Sequence, residues 1–320
     1  MAKKRIQHET RLIIILAVLS VIFLGLFFGI KSAENHKNDE DKAYIDMAVM
    51  EDFPSSIEVT NKDMPFTLES EKSEWHFLGK EEIPVDDLKV TGTRSVIKYF
   101  TAGRILKDAK DHWADFGLSD PQCKLKVTAG DKTNTYLIGD FNPVTGEYYA
   151  ALEGGDVVYM IPKADGESLS MTLLDYVADP AITGAEFNRI TGMRIEAGDT
   201  VYNVDVEGGR YMVRTQEEGF EAGQAGVMSI FNCFTARDYN CVDIDADEAA
   251  LKAYGLDSPE ITVMIKEGNE AAEYDMYVGK GTDGNFYITS GDRSIVYAFD
   301  SDIAEALKEN IKIANLKGAA

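Results

Sequence analysis

The chain has 320 residues, and its 32 Lys plus Arg stand against 55 Asp plus Glu, a formal charge of −23. That balance excludes nucleic acid as a partner, because binding to phosphates needs clustered cations. With 45% hydrophobic and 10% aromatic residues it also excludes wholesale disorder.

In chain order, residues 1–11 form a short tail carrying Lys3, Lys4, Arg5 and Arg11. Leu12 to Ile30 then runs without a charge, interrupted only by Ala17, Ser20, Gly25 and Gly29. As a helix rising about 1.5 Å per residue, it nearly matches the ~30 Å hydrocarbon core of a bilayer. The expectation is a single transmembrane signal anchor, N-terminus cytoplasmic, with the remainder extracytoplasmic. A cleaved secretory peptide is the rival reading. Its best site would follow Ala33, where Lys31 occupies a position that wants a small residue. Residues 31–53 read as an acidic linker.

From residue 54 onward the chain repeats itself. Phe116-Gly117-Leu118-Ser119-Asp120-Pro121 is matched by Tyr254-Gly255-Leu256-Asp257-Ser258-Pro259, 138 positions later. At the same spacing Tyr149 matches Tyr287, and Tyr159 matches Tyr297. Upstream, Phe100-Thr101-Ala102 faces Phe234-Thr235-Ala236. The expected units are residues 54–180 and 181–320, divided at Asp179-Pro180, where proline ends helical continuity.

Each unit opens with a hairpin: residues 66–77 in the first, residues 201–213 in the second, the latter turning at Gly208-Gly209. Helices follow over Arg94 to Leu106 and Ala225 to Ala236, with apolar residues at helical spacing. A short helix leads to the aromatic-Gly-Leu motif, whose Gly117 or Gly255 suits a left-handed cap. Three antiparallel strands come next, and then a closing helix over Gly166 to Val177 or Ser301 to Ile313. The expected fold class is α+β: a transmembrane helix, then two tandem antiparallel sheets covered by helices.

The paired motifs, each followed by a strand, a hairpin, a strand ending in Ile/Val-Gly and a Tyr-rich hairpin, resemble the family called domain of unknown function 4340. The resemblance covers most of residues 54 to 313. It implies a membrane-anchored extracytoplasmic protein associated with ABC-transporter permeases and gliding-motility auxiliary components. It supplies no catalytic residues.

Nothing in the residues themselves assigns a catalytic, cofactor or metal site. Cys123, Cys233 and Cys241 are too few for a disulfide framework. They read as free thiols, with a Cys233–Cys241 pair as the alternative. His8, His36, His76 and His112 lack metal spacing. Asp243, Asp245, Asp247 and Glu248 imitate the opening of a calcium loop, but its sixth and twelfth positions hold Glu248 and Tyr254. Helix capping by Asp245 or Asp247 is the simpler reading. The glycine-rich stretches beginning at Gly139 and Gly279 precede strands and read as hairpin turns. Tyr148, Tyr149, Tyr159, Phe286, Tyr287 and Tyr297 alternate on hairpins, either as a binding face or as sheet cover. The structural motif residues are Gly117, Leu118, Pro121, Gly255, Leu256 and Pro259. The expected function is a non-enzymatic extracytoplasmic accessory or binding module of an ABC-type transport system, partnered by a permease or auxiliary protein. The alternatives are a cell-surface hydrolase acting through paired carboxylates and a calcium-stabilised adhesin.

Overall fold

Alternating apolar and polar residues dominate the chain, and a period of two builds strands. The computed structural model describes residues 52–61, 64–180, 185–235, 238–268 and 272–317. In the first half the strands are β1 (Ser56–Asn61), β2 (Phe66–Glu71), β3 (Glu74–Phe77), β4 (Arg104–Leu106), β5 (Cys123–Ala129), β6 (Lys132–Asn142), β7 (Glu147–Leu152) and β8 (Val158–Pro162). In the second they are β9 (Ile190–Ala197), β10 (Thr200–Glu207), β11 (Arg210–Arg214), β12 (Gly219–Ala222), β13 (Asn240–Asp243), β14 (Ile261–Glu267), β15 (Ala272–Lys280), β16 (Phe286–Ser290) and β17 (Val296–Phe299).

They form two sheets, ordered β3-β2-β1-β5-β6-β7-β8-β4 and β12-β11-β10-β9-β14-β15-β16-β17-β13. Position by position the order is the same, with β12 added at one edge of the second. All the strand pairings with a recorded register are antiparallel. The described residues divide into two compact units, one of 52–67 with 91–170, the other of 68–90 with 171–317.

This corrects the α+β, helix-covered expectation, because the chain is mostly antiparallel sheet with few helices. The α-helices of the described residues are short: α1 (Asp87–Lys98), α2 (Lys163–Leu169), α3 (Gln224–Phe231), α4 (Glu248–Ala253), α5 (Ser301–Asn310) and α6 (Ile313–Lys317). The expected helix over Arg94 to Leu106 lies earlier and ends at Lys98, since its buried stripe is Val90, Thr93 and Ile97. Arg104–Leu106 instead pairs with β8. The first closing helix starts directly after Pro162 and stops at Leu169, and a separate 3-10 turn follows at Leu174–Tyr176.

The expected transmembrane helix is not among the elements of the described residues. Among the described residues no helix is long and apolar enough to cross a membrane, and Leu12 to Ile30 lies outside them.

Cores form where the alternation points inward. Cys123, Leu125, Val127 and Ala129 of β5 are buried, as are Ile261, Val263, Ile265 and Glu267 of β14, each 138 positions on. Buried Glu267 thus stands where the first copy has an alanine. Arg189 answers it, Nε to Oε1 at 3.1 Å. Removing the partner of a buried carboxylate costs about 2 kcal/mol. Arg189→Ala should therefore lower the urea midpoint, whereas Arg210→Ala, at an exposed pair with Glu221, should leave it nearly unmoved.

Candidate functional site

The repeated motif is the natural place to look for a site, and it can be built from the backbone upward. The 3-10 turn Lys110–Phe116 ends at Gly117, whose φ is +69°. In the second copy α4 gives way through Tyr254 to Gly255, whose φ is +70°. A left-handed residue here lets the next two amides turn back onto the helix end. Leu118 N–H donates to Trp113 O and Gly117 N–H to Ala114 O; Leu256 N–H donates to Leu251 O and Gly255 N–H to Lys252 O. The leucine is thereby driven into the core, and both copies are fully buried.

In the first unit Leu118 packs with Leu137, Ala151, Val158 and Ala109, flanked by Trp113, Phe116 and Tyr149. Leu137 alternates with inward-facing Tyr136 and Ile138, so this cluster lies on the face of the sheet opposite the main core. Pro121 and Pro259 stand just before β5 and β14, where no ladder N–H is needed.

Two glycines hold the corner against the sheet. A side chain at Gly139 would strike Phe116 O, and one at Gly279 would strike Gly255 O and lie 2.5 Å from its carbonyl carbon. Backbone meets backbone there, so only hydrogen fits. Arg293 closes the second corner: its Nη1 donates to Leu256 O at 3.1 Å, and its guanidinium sits 3.7 Å above the Tyr277 ring.

The motif's aromatic residue pairs with the hairpin tyrosine in both copies. Phe116 and Tyr149 rings are 4.8 Å apart, Tyr254 and Tyr287 rings 4.6 Å. The Tyr149 hydroxyl accepts from Asn142 Nδ2, and the Tyr287 hydroxyl donates to Asp283 Oδ2, both at 2.7 Å. That Tyr287 hydroxyl, with Asn285, holds the Asp283 carboxyl below its ordinary range.

The other sequence candidates are dispersed into structural roles. Asp247 caps α4, accepting from Ala250 N–H at 2.8 Å, while Asp243 accepts from Asp245 N–H. Among the described residues no group of three or more His, Cys, Asp and Glu is arranged to hold a metal. None of Cys123, Cys233 and Cys241 is joined in a disulfide among the described residues. Burial pushes the Cys123 and Cys241 thiols up to about 12, which makes them poor nucleophiles at neutral pH. The tyrosines do not share one surface: across β7–β8 Tyr149 stands opposite Met160 and Tyr159 opposite Ala150, and across β16–β17 Tyr287 stands opposite Ala298 and Tyr297 opposite Ile288, so in each copy the two tyrosines fall on opposite faces of the sheet.

Sequence reasoning missed a second cluster, in the second unit. The backbone over Tyr176–Asp179 is bound on two sides. Asp86 N–H donates to Tyr176 O, Ala178 N–H to Pro84 O, and Val85 bridges Val177. On the other side the Tyr297 hydroxyl donates to Ala178 O at 2.9 Å, and Tyr239 N–H donates to Asp179 Oδ1 at 3.1 Å. The signal available in sequence was only Asp179 before a proline. Burial raises the Asp179 carboxyl above its ordinary value, opposed by the Tyr239 hydrogen bond and by Lys89, while Asp238 and Asp86 push it further up. A raised folded value means the native state binds the extra proton. Ionised Asp179 therefore opposes folding once pH climbs past the unfolded value, and the penalty is complete above the folded one. Asp179→Asn keeps the acceptor and removes the charge. It should melt higher than the parent at pH 7, with the difference vanishing near pH 3; an equal difference at both values would contradict this.

A family model described as Domain of unknown function (DUF4340) matches residues 75–227 and 235–313. No curated protein and no solved structure matches the chain. The family description states no activity. The membrane, signal-anchor and transporter associations expected from the resemblance find no support in it.

Proposed function

We propose that this chain, which belongs to the DUF4340 family, is a non-enzymatic binding or scaffolding module that acts outside the cell as an accessory of an ABC-type transport system. What supports the reading is how the charged groups are used. Carboxylates are spent on caps and on exposed ion pairs: across strands Lys126 with Glu58 in the first unit and Arg214 with Asp205 and Glu207 in the second, along one strand Arg194 with Glu196, and between a strand and a turn Lys124 with Glu153. Broad strand faces of this kind suit protein contacts, whereas a hydrolase gathers its carboxylates in a cleft.

The test is co-purification. The full chain, tagged and isolated from gently solubilised cells, should bring a permease or auxiliary component with it in fixed ratio. Elution as a monodisperse protein without a partner would overturn the proposal.

A further inference from the structure

We draw no further inference here: the strongest candidate, the exposed apolar tip of the β6–β7 hairpin formed by Phe141, Pro143 and Val144, carries nothing, because nothing in the structure shows what covers it.

Discussion

Gly279→Ala should cost the second unit more than about 3 kcal/mol, and Gly139→Ala should do the same to the first. The added methyl meets main chain, Gly255 O in one case and Phe116 O in the other, and main chain cannot step aside as a flexible side chain can. Relief requires the helix end to leave the strand, exposing Leu256 or Leu118. Gly284→Ala supplies the control. Its φ is +89°, yet a methyl there would meet nothing within 4 Å. It carries only the conformational penalty, about 1 kcal/mol. Urea unfolding followed by circular dichroism ranks the three. If Gly279→Ala loses no more than Gly284→Ala, the close approach of the two backbones is not what holds the corner.

Leu256→Ala should cost about 3 kcal/mol, and Leu118→Ala a similar amount. Both side chains are fully buried, and deleting buried leucine atoms loses transfer energy and leaves a cavity. The cap geometry keeps that cavity open, because the Leu256 amide is tied to Leu251 O and its carbonyl to Arg293. A loss below about 1 kcal/mol in both variants would mean that the corner collapses around the gap, so that the leucine is not the anchor inferred above. The two losses should add in the double variant if the corners are independent.

Residue identity revealed these corners only where it carried a backbone demand. Gly117, Gly255 and the Gly208-Gly209 turn were readable because positive φ selects glycine. The facing glycines, Gly139 and Gly279, were readable only as ends of strands, since their partners lie more than twenty residues away and the constraint is a distance rather than a torsion. Helices were overcalled for a related reason. Val96, Ile97 and Phe100 continue a helical spacing past Lys98, and the three residues of β4 are too few to show a period of two. Glu267 sits at a position whose neighbours alternate apolar, and its charge argued for the surface. The guanidinium that meets it belongs to Arg189, 78 positions earlier. The clasp on Asp179 was invisible for the same cause, because its contacts come from Pro84–Asp86, Tyr239 and Tyr297.

The glycine pair beneath each aromatic corner bears on how genetic screens of this protein should be read. Substitutions at Gly139 or Gly279 would deplete the molecule from the cell through degradation of its unfolded form, so a phenotype mapped there reports dosage. Pairing every such allele with an immunoblot would separate missing protein from a failed encounter, and only the second kind points to a working surface.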